Sequence, residues 1–189
     1  MKIETVHLDE ASPDHTEEVL SVVESFLKKN TEIRHIVVAT TTGATGLAAV
    51  NRFSSHEVIV VTHHTGFLIP NENELEDANR KAILDAGAKI LTATHAFAGV
   101  ARSFRKELGT WTPTELMAIA FRTFGQGTKV CAEIALMAAD AGLVTIDRDV
   151  VCIGGTGRGA DTAWVVIPAN TNSFPKLRMK ACVCKPLSF

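Results

Sequence analysis

Residues 33–46 read Ile33-Arg34-His35-Ile36-Val37-Val38-Ala39-Thr40-Thr41-Thr42-Gly43-Ala44-Thr45-Gly46. The apolar run that ends at Ala39 predicts a short strand, and the threonines and glycines after it predict a loop that leads into a helix. The run does not alternate between apolar and polar residues, as a strand with one face in water would. A strand buried on both faces is typical of a parallel sheet covered by helices, so this stretch predicts an α/β fold.

The rest of the chain continues this alternation of apolar strands and helices. Further strands are predicted at residues 58–61, 89–92, 149–153 and 163–167, with a candidate last strand near residues 180–184. Helices are predicted at 13–29, 74–86 and 112–124, the last opened by a capping box at Thr112 and Glu115, and a further helix reaches residue 141. We therefore expect one α/β domain over residues 1–189, with a largely parallel sheet covered on both faces.

Composition excludes several classes of partner. The chain has 189 residues, a formal net charge of -2 and 6% aromatic residues, which disfavours binding of nucleic acid by charge or by base stacking. No apolar run approaches the ~20 residues that span a bilayer, and the first residues lack the apolar core of a signal peptide. With four cysteines interpreted as reduced thiols, the sequence predicts a cytoplasmic protein without a membrane partner.

Polar and glycine-rich loops follow four of the predicted strands. Because the carboxyl ends of parallel strands lie at one edge of a sheet, these loops are expected to converge on one crevice. The candidate binding residues are Thr40, Thr41, Thr42, Gly43, Ala44, Thr45 and Gly46 in the first loop, Thr62 and His63 in the second, His95 in the third, and Gly155, Thr156, Gly157, Arg158 and Asp161 in the fourth.

The first of these, which we call the Thr/Gly loop (residues 40–46), predicts a phosphate site. Gly43 and Gly46 allow the backbone to turn and to approach a ligand closely. Threonine hydroxyls and the free N–H groups at a helix N-terminus suit a phosphate. The alternative is a plain strand-to-helix turn capped by threonine. A P-loop is disfavoured because the chain has no Gly-x-x-x-x-Gly-Lys-Ser/Thr motif.

The fourth loop matches the dinucleotide fingerprint Gly-x-Gly-x-x-Gly/Ala at residues 155–160. That fingerprint must open a helix, whereas here residues 163–167 form a predicted strand, so a tight antiparallel hairpin is favoured instead. Arg158 could reach a phosphate or a ring carbonyl from this hairpin, and Asp161 could bind a ligand or brace Arg158. A hairpin without a ligand is the alternative.

Histidines and a helix break supply further candidates. His63, His64 and His95 could act as acid/base groups, but a polar lining without chemistry is favoured, and their spacing does not predict a metal site. Gln126 and Gly127 lie in a glycine-flanked break that is either a packing kink or a contact to the edge of a planar ring.

Three segments together resemble a known family. They are His95-Ala96-Phe97-Ala98-Gly99, Phe124-Gly125-Gln126-Gly127-Thr128-Lys129-Val130 and Gly154-Gly155-Thr156-Gly157-Arg158-Gly159-Ala160-Asp161-Thr162-Ala163. With the Thr/Gly loop, they are similar to the carboxy-terminal domain of pyruvate kinase, and more closely to a stand-alone archaeal and bacterial family of such domains. The resemblance covers about residues 18–186 and implies a three-layer α/β/α fold with a mostly parallel, five-stranded mixed sheet whose last main strand is antiparallel.

The resemblance also implies a ligand. In pyruvate kinase the equivalent loop holds a phosphate of the allosteric sugar bisphosphate, and members of the stand-alone family resemble binders of flavin mononucleotide (FMN), with the phosphate in the same loop. This chain has no catalytic barrel and has an added segment between His95 and Trp111, so pyruvate kinase activity is not implied.

Three hypotheses follow from the sequence. The first is an FMN-binding protein, with the ring near His63, His95, Gly127 and residues 155–158. The second is a non-enzymatic sensor of a phosphorylated sugar or nucleotide, and the third is a hydrolase or isomerase of a phosphorylated metabolite with a histidine base. In each case the partner is a small phosphorylated ligand, and self-association into a homo-oligomer is expected for a domain of this kind.

Overall fold

Seven strands and six α-helices make up the fold in a computed structural model, which describes residues 4–189. The strands are β1 (Val6–Glu10), β2 (His35–Ala39), β3 (Glu57–Thr62), β4 (Lys89–Thr92), β5 (Val150–Gly154), β6 (Thr162–Ile167) and β7 (Arg178–Ser188). The helices are α1 (Thr16–Leu27), α2 (Ala44–Arg52), α3 (Asp77–Asp85), α4 (Val100–Leu108), α5 (Pro113–Arg122) and α6 (Gln126–Asp140), with 3-10 helices at Pro13–His15 and Thr171–Lys176.

The strand order places a reversal of the chain at the centre of the sheet. The order is β1-β7-β6-β5-β2-β3-β4, with β2, β3, β4 and β5 parallel to one another. From β2 the chain moves outward to β3 and β4, and it then returns to the other side of β2 to form β5. The carboxyl ends of β2 and β5 therefore flank the crevice where open α/β sheets bind their ligands.

Helices cover both faces of the sheet, which confirms the three-layer α/β arrangement. On one face, side chains of α1, α2 and α3 pack on Ile36, Val38 and Val60. On the other face, α6 packs on Val37, Ile59 and Val61. Neighbouring residues of β2 thus point to opposite cores, because side chains alternate along a strand, and this explains the continuous apolar run in the sequence.

The sheet has seven strands where five were expected. β5 and β6 pair antiparallel, with Cys152 opposite Trp164, so the predicted antiparallel strand is confirmed. The two added strands, β7 and β1, extend the sheet beyond β6. β1 was missed because only Leu8 among its five residues is buried. The range predicted for β7, 180–184, is too short because Arg178 and Ser188, at the two ends of the strand, are polar and exposed. A strand near the edge of a sheet needs no apolar run.

Two predicted helix starts differ in detail. α1 begins at Thr16, after the 3-10 turn at Pro13–His15 that Ser12 caps by accepting a hydrogen bond from the Asp14 N–H. α5 does begin at Pro113, but the capping box prediction is wrong, since Thr112 makes no side-chain cap. The Glu115 carboxylate instead accepts a 2.7 Å hydrogen bond from Arg105 Nε on α4. A tertiary ion pair has replaced the local cap.

Candidate functional site

A cavity of about 660 Å³ opens at the carboxyl edge of the sheet, where the strand order reverses. Its volume is in the range of small-molecule sites. The residues that line it are Pro13, Thr16, Ala39, Thr40, Thr41, Thr42, Ala44, Thr45, Val61, Thr62, His63, Phe67, Leu68, Glu74, His95, Arg102, Arg122, Gln126, Lys129, Val130, Glu133, Ile134, Met137, Gly155, Gly157, Arg158 and Gly159. The four predicted loops therefore do meet at one site.

The Thr/Gly loop is held in shape by its first threonine. The buried Thr40 hydroxyl accepts hydrogen bonds from the N–H groups of Gly43 at 3.1 Å and Gly46 at 3.3 Å. Ala44 and Thr45 open α2, so their N–H groups have no partner within the helix. Both residues line the cavity, together with Thr41 and Thr42. Thr40 thus orders the loop, and the residues beside it face the cavity.

The two glycines of the loop allow α2 to pack closely on its neighbours. Gly43 has φ 100°, and a Cβ there would lie 2.5 Å from Asn79 Cβ on α3. A Cβ on Gly46 would lie 2.6 Å from Val60 Cγ1 on β3. The turn expected at Gly43 is present, but both glycines allow α2 to approach α3 and the sheet, and neither is among the residues that line the cavity.

The β5–β6 hairpin forms the facing wall. Gly155, Gly157 and Arg158 line the cavity, and Arg158 is exposed to it. Asp161 is buried and accepts hydrogen bonds from the Thr156 N–H at 2.9 Å and the Thr162 hydroxyl at 2.6 Å. Asp161 and Thr156 therefore brace the hairpin itself, and neither of these two predicted site residues lines the cavity.

The segment before α1 completes this wall, although no sequence pattern singled it out as part of a site. The Thr16 hydroxyl donates to the Pro13 carbonyl at 2.8 Å and accepts from the Ala160 N–H at 3.0 Å. A Cβ on Gly159 would lie 2.6 Å from Pro13. This close approach seats the hairpin on the start of α1, so Pro13 and Thr16 line the cavity beside Arg158.

His63, which follows β3, is paired with a carboxylate. Its Nδ1 donates a 2.6 Å hydrogen bond to Glu74 Oε2, since a carboxylate can only accept. The His63 ring stacks on Phe67, with the ring centroids 3.9 Å apart. His64 bonds through Nδ1 to the Thr65 carbonyl and is not among the lining residues. The two adjacent histidines thus have different environments, and only His63 has both a carboxylate and the cavity beside it.

His95, which follows β4, lines the cavity and is largely buried. Burial lowers the pKa of His95 to about 4, against which the Glu133 carboxylate exerts a smaller opposing effect. Its Nδ1 lies 3.9 Å from Glu133 Oε2, and its ring centroid lies 5.4 Å from that of His63. The imidazole of His95 is therefore neutral at pH 7 and can donate or accept a hydrogen bond without carrying charge.

α6 contributes polar groups from its first two turns. Gln126 lines the cavity and its Oε1 accepts a 2.6 Å hydrogen bond from Arg122 Nε. Lys129 is buried and ion-paired with Glu133 one turn later, and burial lowers the pKa of its ammonium group. Gly127 is a packing position, because a Cβ there would overlap the side chain of Thr162 on β6. Of the two residues predicted in the helix break, Gln126 alone lines the cavity.

The charge of the lining favours an anion. Arg102, Arg122, Lys129 and Arg158 line the cavity, against the carboxylates of Glu74 and Glu133. Within residues 4–189 no group of three or more metal-binding side chains is close enough to hold a metal ion. In the same part of the chain, no helix combines the length and apolarity needed to cross a membrane.

The added segment between His95 and Trp111 forms α4, which brings Arg102 to the cavity. Its guanidinium lies over the ring of Phe67, 5.9 Å from the ring centre. Gly99 and Gly109 flank the helix with positive φ, and Val100, Phe104 and Leu108 are exposed along it at a spacing of four residues. α4 is therefore joined to the site through its polar side.

Residues 19–166 match the family described as "Pyruvate kinase, alpha/beta domain". The chain belongs to this family. The match begins in α1 and ends in β6, so it includes the Thr/Gly loop, both histidine loops and the β5–β6 hairpin. Pro13, Thr16, β1 and β7 lie outside it. This pyruvate kinase alpha/beta domain thus carries its cavity largely, but not wholly, within the part that the family shares.

Several lining residues were missed by the sequence analysis. The Lys129–Glu133 pair had a visible signal, because two opposite charges four residues apart lie in an otherwise apolar helix. Phe67 and Glu74 carried none. Phe67 lies in an irregular segment whose path only the structure shows, and Glu74 was predicted to begin the helix over 74–86, whereas α3 begins at Asp77 and leaves Glu74 in that segment. Arg102 lies in the added segment between His95 and Trp111, in which the sequence analysis placed no candidate site residue.

Proposed function

We propose that the protein binds a phosphate monoester in this cavity and that FMN is the ligand. The observation that carries the proposal is the position of the Thr/Gly loop. Its threonines and the N-terminus of α2 line one end of a cavity at the reversal of the strand order, and Arg158 lines the facing wall. That is where open α/β folds hold phosphate-bearing ligands.

The proposed phosphate site, which we call the phosphate seat, consists of Thr41, Thr42, Ala44, Thr45 and Arg158. Thr40 fixes the loop, and the N–H groups of Ala44 and Thr45 then point along the axis of α2 towards its N-terminus, where the helix dipole attracts negative charge. Thr41 and Thr42 supply hydroxyls beside them, and Arg158 supplies a charged, forked donor. An oxyanion with three acceptor atoms fits this set of donors.

The remainder of the cavity suits a flat ring that forms hydrogen bonds. His63, Phe67 and His95 provide planar side chains, with the Phe67 and His95 centroids 5.3 Å apart. Gln126 and Lys129 provide polar groups on the α6 side. A bound flavin would supply electron-transfer chemistry, and the protein's own part would be to orient the ring and to exclude water from it.

Binding measurements with the purified full chain test the proposal. We expect the FMN affinity to exceed that of riboflavin, which lacks the phosphate, by at least about tenfold, because the seat recognises the phosphate. Arg158→Ala should weaken FMN binding by about tenfold and leave riboflavin binding unchanged. Arg148→Ala is the matched control, since Arg148 is an exposed arginine that precedes β5, at the far end of that strand from the hairpin. Equal affinities for the two flavins, or no binding of either, would refute the proposal.

A regulatory module that binds a phosphorylated sugar is the second candidate. The observation that favours it is that Arg102 and Arg122 line the cavity in addition to Arg158, so that a second phosphate would also meet charged donors. In a thermal-shift experiment, a sugar bisphosphate should then raise the melting temperature more than its monophosphate and more than FMN, because selective ligands stabilise by mass action. Stabilisation by FMN alone would eliminate this candidate.

A further inference from the structure

The His63–Glu74 pair is a feature that ligand binding alone does not require. The Glu74 carboxylate accepts a 2.6 Å hydrogen bond from the Nδ1–H of His63, so in the neutral imidazole Nε2 is the free basic nitrogen. Stacking on Phe67 fixes the plane of the ring, and the side chain of His63 remains 27% exposed while it lines the cavity. A base whose tautomer and orientation are both fixed is the arrangement that general acid/base catalysis needs.

The pair lies close to the phosphate seat. β2 and β3 are paired in register, with Ala39 opposite Val61, and the Thr40 N–H donates to the Val61 carbonyl at 2.9 Å. His63 follows Val61 by two residues, so the backbone around it leaves the sheet about one strand spacing (~4.8 Å) from the Thr/Gly loop. His63 therefore lies beside the part of a bound ligand that is a few atoms from its phosphate.

We propose that His63, positioned by Glu74, is a catalytic acid/base that transfers a proton on a short phosphorylated α-hydroxy aldehyde or ketone held in the phosphate seat. The proposal rests on the phosphate seat described under the proposed function, but not on flavin being its occupant. It assigns an isomerase-type activity to the cavity.

The step balances without an external reagent. His63 Nε2 takes the proton from the carbon next to the carbonyl, a carbon–carbon double bond forms, and the carbonyl π electrons move onto oxygen to give an enediolate. His63 Nε2 then returns the proton to the former carbonyl carbon, and the hydroxyl proton of the first carbon moves to the former carbonyl oxygen. The carbonyl and hydroxyl positions are thereby exchanged, with no net gain or loss of protons. Glu74 keeps its hydrogen bond to Nδ1 throughout and stabilises the imidazolium that forms.

Other lining groups suit the same step. The enediolate oxygen needs a cation or a hydrogen-bond donor, and Lys129, Arg122 and the neutral His95 lie in the same cavity. Among the residues that the structure describes, no serine or cysteine lines the cavity, so the described lining supports proton transfer better than a covalent acyl or phosphoryl intermediate on those side chains.

Hydrogen exchange in D2O tests the proposal with defined probes. The full chain is incubated with D-glyceraldehyde 3-phosphate, D-erythrose 4-phosphate or D-ribose 5-phosphate, and loss of the α-proton signal is followed by NMR. We expect protein-dependent exchange with at least one of them. His63→Asn should slow it at least about a hundredfold, and Glu74→Gln should lower kcat at least about tenfold with KM changed less than about twofold. His64→Asn, the matched control at the adjacent histidine, should exchange at the wild-type rate.

Rescue of a His63 variant by added imidazole distinguishes a catalytic role of His63 from a structural one. His63→Ala should recover a measurable part of the exchange rate when imidazole is added, which a purely structural role of His63 would not produce. Absence of exchange with all three probes overturns the proposal, as does wild-type exchange by His63→Asn. FMN should inhibit the exchange competitively if it shares the seat. Exchange without any FMN binding would refute the flavin ligand alone, and FMN binding without exchange would refute the proton transfer alone.

Discussion

The Lys129 ammonium is ion-paired with the Glu133 carboxylate one turn along α6, with only 6% and 4% of the two side chains exposed. Glu133 Oε1 also accepts a 2.9 Å hydrogen bond from the Phe97 N–H, and Oε2 faces His95 Nδ1. The Glu133 carboxylate therefore connects α6 to the loop that follows β4. Without it, a buried ammonium and a buried N–H would lose their partner.

Glu133→Gln is expected to lower the free energy of unfolding by about 3–5 kcal/mol, because it leaves the Lys129 charge buried and unpaired. Urea denaturation measures the change. The double variant Lys129→Met/Glu133→Gln should recover most of the loss, since the unpaired charge is then gone. A single-variant loss below about 1 kcal/mol would show that Lys129 reaches water in solution.

His95 should make stability depend on pH in acid. Its pKa is about 4 in the folded protein against 6.5 as the ordinary value. Between these values the unfolded chain binds a proton that the folded chain does not, so the free energy of unfolding falls as the pH falls from 6.5 to 4. The full effect is about 3 kcal/mol. His95→Gln should lack this part of the pH dependence, and identical pH profiles for the two proteins would contradict the burial of a neutral imidazole.

Gly43→Ala should be more damaging than an alanine at another left-handed glycine. Gly43 and Gly87 have φ of 100° and 82°, but a Cβ would collide with Asn79 at Gly43 and meets open space at Gly87. We expect about 1 kcal/mol of destabilisation for Gly87→Ala, from backbone strain, and about 3 kcal/mol for Gly43→Ala, where overpacking adds to it. Chemical denaturation compares the two. Equal decreases in the free energy of unfolding would mean that α3 shifts at Asn79 to accommodate the added methyl group.

Substitution of Asp161 should lower both stability and ligand affinity, whereas substitution of Arg158 should lower mainly ligand affinity. Asp161→Asn places an amide where two donors converge, so the free energy of unfolding should fall by about 1–3 kcal/mol. It should also weaken FMN binding, because the hairpin that carries Arg158 loosens. Arg158→Ala should weaken binding with less than about 0.5 kcal/mol of destabilisation. If Asp161→Asn left both quantities unchanged, the brace assigned to Asp161 would be wrong.

The strand and the hairpin that could be predicted are segments whose structure is set by local sequence. The apolar run from Ile36 to Ala39 predicts a buried strand. Successive side chains of a strand point to opposite faces of the sheet, so an unbroken apolar run indicates an apolar core on each face. The hairpin after β5 could be distinguished from a dinucleotide fingerprint because a strand, and no helix, follows Asp161. Both predictions depend only on segments of about ten residues.

The errors concern contacts between distant segments. Gly43 and Gly46 face Asn79 and Val60, partners that are invisible until α3 and β3 are placed. Glu115 pairs with Arg105 on another helix, which overrides the local capping pattern. Whether Glu74 could meet His63 depends on the path of an irregular segment of ten residues, and no periodicity describes such a path.

The packing of the β5–β6 hairpin on Pro13 and Thr16 limits how far the chain can be shortened. Both residues precede the part that matches the family, yet they line the cavity, and Thr16 holds the Ala160 N–H. A fragment trimmed to residues 19–166 would retain the Thr/Gly loop and Arg158 but lose the support beneath Arg158. Transplanting the shared segment into another scaffold would therefore carry over the Thr/Gly loop and Arg158 without Pro13 and Thr16, the residues on which the hairpin packs.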